Sequence, residues 1–188
     1  MPALATKPIT PEAMLEIDDG KLYELVDGEL VEKNMGAYAI HIAFLLASYL
    51  HDFARHNHGG GVFCEMTYAH KQWKKKKTCT ARRPDVSYIR AGRIPGNSAP
   101  DGVLKIAPDL AVEVISPHDR VRDLDRKVDD YFDAGVEEVW LIRPHVERVS
   151  VYRKDRSREF RMGSTLTSPE MLPGFALKLS DLFVRQFC

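Results

Sequence analysis

The sequence has few cysteines, no surplus of either charge and no long apolar run, and each absence excludes a class of protein. The three cysteines, Cys64, Cys79 and Cys188, are odd in number and lack metal-ligand spacing. We therefore expect reduced thiols in a cytoplasmic protein rather than a disulfide framework or a zinc site. Residues 1–11 lack a basic segment followed by an apolar block, and no run reaches the ~18 apolar residues of a membrane span. Neither a signal peptide nor contact with a membrane is expected.

Total charge gives no indication of a nucleic-acid partner, because 27 Lys and Arg residues balance 27 Asp and Glu residues. Only the local distribution of charge can do so. The 188 residues, 44% hydrophobic and 29% charged, suit one domain spanning residues 1–188. Residues 1–10 are expected to form a loose N-terminal arm. Thr10-Pro11 is typical of a helix start and predicts a short helix over 11–17.

A β-hairpin is predicted over residues 21–33. Asp27-Gly28 is typical of its two-residue turn. This register pairs Glu24 with Val31 and places the acid among apolar neighbours on one face. Two interpretations stay open: Glu24 faces a functional site, or its face is solvated and the opposite face, with Leu25, packs the core.

The rest of the chain predicts an α/β fold with a mixed central sheet flanked by helices. The spacing of strand, helix and strand between residues 110 and 142 indicates a parallel pair with a right-handed crossover. Residues 155–163 are polar and predict a turn. The predicted elements are a long helix over 36–58, strands over 62–70 and 83–89, a buried strand over 110–115, a helix over 119–134, strands over 138–142 and 148–153, and a closing apolar segment over 172–187.

Two acids lie inside short apolar, β-branched runs. They are Asp85, before Val-Ser-Tyr-Ile, and Glu113, within Leu-Ala-Val-Glu-Val-Ile. A buried carboxylate is costly unless a partner compensates it. Lys127 and Tyr131 lie four residues apart along one edge of the next helix, where a lysine can bury its stem and direct its ammonium into a cleft. The alternative for Lys127 is an ordinary surface position.

These acids predict a metal site that faces a phosphate. Phosphodiester hydrolysis needs a hard cation, and Mg²⁺ (or Mn²⁺) takes oxygen ligands while keeping some waters. Asp85 and Glu113 on neighbouring strands could reach one ion, and the carbonyl of Val114 or Ile115 could add a ligand. Glu24 is a further candidate, directly or through water. Lys127 would orient water or neutralise charge on the phosphate.

A basic segment precedes the first acid of this site. Residues 66–84 contain seven Lys or Arg residues and no acid, with aromatic residues between them. Such a segment suits contact with a phosphate backbone. The alternative is a solvated loop. The candidate nucleic-acid contacts are Lys74, Lys75, Lys76, Lys77, Arg82 and Arg83.

Several motifs in this order resemble the Uma-two family of restriction endonucleases, within the PD-(D/E)xK nuclease superfamily. The similarity covers roughly residues 10–153. The matching stretches are Tyr23–Leu30, His41 at a helix start, Arg83-Pro84-Asp85-Val86, Pro108-Asp109-Leu110, Glu113-Val114-Ile115-Ser116-Pro117, Arg122-Asp123-Leu124 with Lys127 and Tyr131, and Ala134–Trp140.

The resemblance implies a restriction-endonuclease-like core, a divalent metal on Asp85 and Glu113, and often a homodimer. The general signature has a lysine two residues after the second acid, where this chain has Ile115. The resemblance implies that Lys127 supplies it from the following helix. Glu24 would assist catalysis, and His41 and Tyr131 would line the site.

The expected function is a Mg²⁺-dependent endonuclease acting on DNA, and RNA in place of DNA stays open as the substrate. One alternative is a nucleic-acid-binding module without catalysis. The other is a structural or interaction protein whose acids are merely paired, with Lys127 bridging one of them.

Overall fold

The computed structural model describes residues 9–18, 22–57, 59–69, 80–94, 96, 98–99, 101–116, 119 and 121–185. Within these residues, the helices are α1 (Pro11–Leu15), α2 (Ala37–His56), α3 (Val121–Ala134) and α4 (Leu179–Leu182). The strands are β1 (Leu22–Val26), β2 (Glu29–Lys33), β3 (Gly61–Cys64), β4 (Val86–Ile89), β5 (Leu110–Val114), β6 (Glu138–Arg143), β7 (Arg148–Arg153), β8 (Arg156–Arg161), β9 (Thr165–Ser168) and β10 (Leu172–Lys178).

The central sheet has six strands in the order β3-β4-β5-β6-β7-β8. Strands β5 and β6 are parallel, while the other neighbouring pairs are antiparallel. Helix α3 connects the parallel pair, as the strand–helix–strand spacing predicts. The mixed sheet of the predicted α/β fold is therefore confirmed.

Strand alternation places a different helix against each face of the sheet. Val112 and Trp140 lie in one core cluster with Ile42 and Leu46 of α2. Ala111 and Leu141 lie in a second cluster with Val128 and Tyr131 of α3. Glu113 alternates with Val112 and so belongs to the face that α3 covers.

Helix α2 is long and apolar enough to cross a bilayer, by length and composition alone. In the structure its stripe of Ile42, Leu46, Leu50 and Ala54 is instead buried in the core cluster against the sheet. This stripe follows the helical spacing expected of a core helix.

The predicted hairpin forms with its predicted register, pairing Glu24 with Val31 and Leu25 with Leu30. It contributes to the fold on both faces. Leu25 packs in a small cluster with Met14 and Ala81, while Glu24 is also buried. Leu25 therefore packs the core as the second interpretation expects, but the face of Glu24 is not solvated at that residue, and a functional role of Glu24 stays a prediction.

Three boundaries differ from the sequence-based expectation. Strand β3 ends at Cys64, because Glu65 adopts φ 53°, a left-handed conformation that interrupts an extended strand. Residues 155–163 do not form only a turn, since β8 pairs with β7 as an exposed edge strand. Its polar side chains suit that edge. Helix α3 begins at Val121 rather than at residue 119, and the Val121 side chain is 73% exposed.

Candidate active site

Two neighbouring strands bring the predicted acids together. Val86 of β4 is the antiparallel partner of Val112 of β5, so Asp85 and Glu113 are the next pair along the same register. Both side chains are buried. The backbone N–H of Val114 donates to Oδ2 of Asp85 at 2.5 Å, which ties the aspartate to the end of β5. Both carboxylates face the same cleft.

Helix α3 supplies two donors to Glu113. Lys127 Nζ lies 2.8 Å from Oε2 of Glu113, and Tyr131 donates its hydroxyl to Oε1 at 2.5 Å. The two side chains reach the same carboxylate because residues four apart share a helix face. The helical edge that the sequence predicts is thus the edge that faces the cleft.

The hairpin adds Glu24 to this group. Its Oε1 lies 3.2 Å from Lys127 Nζ and accepts the backbone N–H of Arg83 at 2.8 Å. Its Oε2 accepts from the guanidinium of Arg82 at 3.1 Å. That guanidinium also binds Asp130 of α3, so Arg82 links the hairpin to the helix. Glu24 is therefore anchored by cations on two sides.

A second lysine, Lys33, contacts Asp85. Lys33 ends β2 and places its Nζ 2.7 Å from Oδ1 of Asp85. The same ammonium donates to the carbonyl of Arg83 at 2.6 Å and to the carboxylate of Glu65 at 3.0 and 3.2 Å. Its side chain is only 9% exposed. Asp85 and Glu113 therefore each contact a different, largely buried lysine.

These side chains line a cavity of about 580 Å³ between the hairpin, the ends of β4 and β5, and the start of α3. An ion pair at its rim joins Asp27 of the hairpin turn to Arg126 of α3. The cavity is wide enough for a phosphate-bearing ligand, and charged groups dominate its inner wall. The inner charged residues are Glu24, Lys33, Asp85, Glu113 and Lys127.

Burial and neighbouring charges give the two glutamates of the cleft, Glu113 and Glu24, very different pKa values. Burial raises the pKa of Glu113, and repulsion from Asp85 adds to it, so that the pKa lies at about 7 despite attraction from Lys127. Burial also raises the pKa of Glu24, but nearby cations, first Lys127 and then Arg82, outweigh it and bring the pKa to about 2. At neutral pH Glu24 is ionised, whereas Glu113 stands near its midpoint.

The lysines stay charged. Burial lowers the pKa of Lys127, yet Glu113 and Glu24 raise it by more, and the net direction is upward. Burial likewise opposes the charge on Lys33, but Asp85 and Glu113 raise its pKa further above the ordinary value. Burial and the neighbouring Glu113 raise the pKa of Tyr131, so its hydroxyl remains a donor.

Most of the chain matches a known family. The Uma2 family model, described as "Putative restriction endonuclease", matches residues 11–180. The chain belongs to the Uma2 family. That membership supports a nuclease function and confirms the resemblance to Uma-two proteins.

A solved structure shows the same fold. The crystal structure of a "putative nuclease belonging to DUF820" from Anabaena variabilis matches with a TM-score of 0.76 at 22% identity. The match covers 94% of this chain and 98% of that chain. No curated protein matches this sequence.

The structure brings five predicted residues of this Uma2 chain into one cluster: Glu24, Asp85, Glu113, Lys127 and Tyr131. His41 is half-buried near the start of α2 and is not among the residues that line the cavity within the described ranges. Its place in the site stays a prediction. Lys74, Lys75, Lys76 and Lys77 lie outside the described residues.

The interpretation of Arg82 as a nucleic-acid contact is wrong. Its side chain is buried, and its guanidinium is shared between Glu24 and Asp130. Those bonds direct it inward rather than to a surface phosphate. Arg83 is more accessible, with its Nε 3.5 Å from Oε2 of Glu65, and its role as a contact stays a prediction.

The sequence does not predict three charged residues that join this cluster of side chains: Lys33, Glu65 and Asp130. The hairpin register held a signal for Lys33, because it pairs with Leu22 and therefore shares the face of Glu24. Glu65 gave no such signal, since its position depends on the left-handed turn that ends β3. Nothing in the sequence distinguishes Asp130 from the other acids of α3, because only the fold brings its partner Arg82 beside it.

The oxygen donors of the cleft fit a divalent metal. Within the described part of the chain, no group of three or more His, Cys, Asp or Glu side chains is arranged to hold a metal. Two carboxylates are nevertheless enough for Mg²⁺, which completes its octahedron with waters and substrate phosphate. Each oxygen of Asp85 and Glu113 accepts one bond from the protein, and a carboxylate oxygen has a second lone pair for a cation.

Proposed function

We propose that this Uma2 protein is a metal-dependent endonuclease that hydrolyses phosphodiester bonds in DNA. The observation that carries the proposal is the juxtaposition of Asp85 and Glu113 at the ends of adjacent strands, in one cleft with Lys127. Family membership supports the nuclease class, and the hard oxygen donors favour Mg²⁺ or Mn²⁺.

Each side chain has a role in this proposal. Asp85 and Glu113 would hold the metal, which when bound supplies positive charge to the phosphate and acidifies a bound water. Lys127, kept protonated by its two glutamates, would donate to a phosphate oxygen or orient the attacking water. Glu24 would hold the Lys127 ammonium together with Glu113. Tyr131 fixes the orientation of the Glu113 carboxylate.

The proposal is tested with purified protein on supercoiled plasmid DNA and on a single-stranded RNA, each with Mg²⁺, Mn²⁺ or EDTA. We expect nicking of the plasmid only with the metal, and loss of nicking in Asp85→Asn and Glu113→Gln. Lys105→Met is a matched control, because Lys105 is an exposed lysine paired with Glu12 outside the cleft. Absence of cleavage with both metals, or cleavage retained in both acid variants, would contradict the proposal.

A second candidate is a nucleic-acid-binding module that does not cleave. All four carboxylate oxygens of Asp85 and Glu113 already accept bonds from the protein, as in a self-contained ion-pair cluster. In that case binding to DNA would depend on salt but not on metal. Asp85→Asn would leave the DNA affinity unchanged, and the plasmid assay would show no cleavage in any variant.

A further inference from the structure

The Lys33 ammonium is held by four acceptor atoms within 3.2 Å. An ammonium has three hydrogens, and those of Lys33 meet three acceptor groups: the carboxylate of Glu65, the carbonyl of Arg83 and Oδ1 of Asp85. These groups come from two segments: Glu65 lies in the turn after β3, and Arg83 and Asp85 lie in the segment just before β4. Lys33 is therefore not a surface lysine that touches the cleft by chance.

The position of Lys33 follows from the hairpin. It is the last residue of β2 and pairs with Leu22, so it shares the inward face of Glu24. The same hairpin thus sends one acid towards Lys127 and one lysine towards Asp85. Because α3 and the hairpin meet through Lys127 and Glu24, the Lys33 ammonium is fixed relative to both candidate metal ligands.

Within the ion-pair network that joins Asp85 and Glu113 to their neighbours, the charges are close to balance without any added ion. Five carboxylates face four cations, and each of the two candidate metal ligands has its own lysine. The carboxylates are Glu24, Glu65, Asp85, Glu113 and Asp130, and the cations are Lys33, Arg82, Arg83 and Lys127. A divalent ion on Asp85 would share that carboxylate with an ammonium, and two cations so close repel each other.

We propose that Lys33 is a built-in counter-cation of the metal site: it neutralises Asp85 in the metal-free protein and competes there with the divalent ion. This inference rests on the proposed function, since it assumes that Asp85 and Glu113 hold a metal. It assigns to Lys33 a positioning role that differs from that of Lys127. Lys127 is shared between Glu113 and Glu24, the second of which would retain it when Glu113 binds the ion, whereas Lys33 has Asp85 among its own acceptors and weakens the binding of the ion there.

The test is Mn²⁺ binding, measured by calorimetry on the full chain without nucleic acid, so that the readout does not depend on cleavage. We expect Lys33→Met to bind Mn²⁺ at least about tenfold more tightly than the wild type, or ~1.4 kcal/mol. In EDTA the same variant should melt at a lower temperature, because Asp85 and Glu65 lose their cation, and Mn²⁺ should restore the melting temperature. Lys105→Met, which removes the same charge outside the cleft, should match the wild type in both measurements.

Lys33→Gln is the second variant, because it removes the charge but keeps an N–H donor for Asp85. A variant that folds only with Mn²⁺ supports the inference, whereas failure of both variants to fold in saturating Mn²⁺ overturns it. If wild type binds Mn²⁺ and both variants bind it equally or more weakly, the inference fails while the metal site stands. If neither the wild type nor either variant binds Mn²⁺, both the inference and the proposed metal site fail.

Discussion

Lys127 Nζ lies 2.8 Å from Oε2 of Glu113, although the lysine belongs to a helix and the glutamate to a strand. The position two residues after Glu113, where the general nuclease signature has its lysine, is taken by Ile115. Ile115 is buried in the core cluster beneath α3. An ammonium reaches the carboxylate only because α3 returns over this face of the sheet. The ammonium beside Glu113 is therefore supplied by the helix rather than by the strand.

Replacing Lys127 by methionine should remove cleavage while leaving metal binding in place. The substitution keeps an unbranched stem but deletes the ammonium that the proposal directs at the phosphate or water. We expect a loss of about 10²–10³ in kcat, as for removal of one stabilising donor. The measurement is plasmid nicking with Mg²⁺ together with Mn²⁺ calorimetry. Cleavage at the wild-type rate in Lys127→Met would contradict the role.

The raised pKa of Glu113 predicts a pH dependence of stability. Glu113 has a pKa of about 7 in the folded protein against the ordinary 4.5, so the folded state retains a proton that the unfolded state releases. Glu113 contributes about 3 kcal/mol to the free energy of unfolding below pH ~4.5, and this contribution is lost as the pH rises to ~7. Glu113→Gln should remove this decline, measured as urea unfolding at intervals from pH 4.5 to 8. If the unfolding free energies of wild type and Glu113→Gln changed with pH in parallel, the raised pKa of Glu113 would be contradicted.

The same titration predicts the pH dependence of metal binding. A carboxylate binds a cation only when it is ionised. Mn²⁺ affinity should therefore strengthen as pH rises through about 7, the pKa of Glu113 in the folded protein. Calorimetry between pH 5.5 and 8.5 measures it. An affinity that does not change across this range would show that Glu113 does not bind the ion.

Sequence reasoning reached the strand acids and the helical lysine because each depends on a local pattern. Asp85 and Glu113 interrupt apolar runs, and Lys127 and Tyr131 keep helical spacing, so each position is fixed by its own element. Glu65 and Asp130 could not be found this way, because their partners Lys33 and Arg82 are distant in the chain. Tertiary packing decides whether a charged side chain forms a buried ion pair or faces solvent. Arg82 shows this, because it is predicted as a nucleic-acid contact but is buried between Glu24 and Asp130.

Arg82 should prove structural rather than a DNA contact. Arg82→Met leaves Glu24 and Asp130 buried without their shared cation, which should cost about 3–5 kcal/mol of unfolding free energy. Arg82→Lys keeps the charge but cannot reproduce the guanidinium fork between two carboxylates, so an intermediate loss is expected. Urea denaturation measures both.

The matched control is Arg126→Met, since Arg126 forms a rim ion pair with Asp27 in which both side chains are more than 40% exposed. Its loss should be at most about 1 kcal/mol. The salt dependence of DNA binding, measured by fluorescence anisotropy on Arg82→Met under conditions in which this variant is folded, should keep the wild-type slope, since the substitution removes the charge. A slope lower by about one would mean that Arg82 contacts a phosphate after all.

Glu24 should stabilise the protein above pH 4.5 and lose this effect in acid. Its pKa of about 2 in the folded state is below the ordinary 4.5, so the unfolded state binds the proton first as pH falls. Glu24→Gln should therefore lower the unfolding free energy by about 3 kcal/mol at neutral pH. The difference from wild type should shrink as pH falls from 4.5 towards 2. Denaturation curves at pH 7, 4, 3 and 2 measure it, and a difference that persists unchanged at pH 2 would mean that packing, not charge, sets the contribution of Glu24.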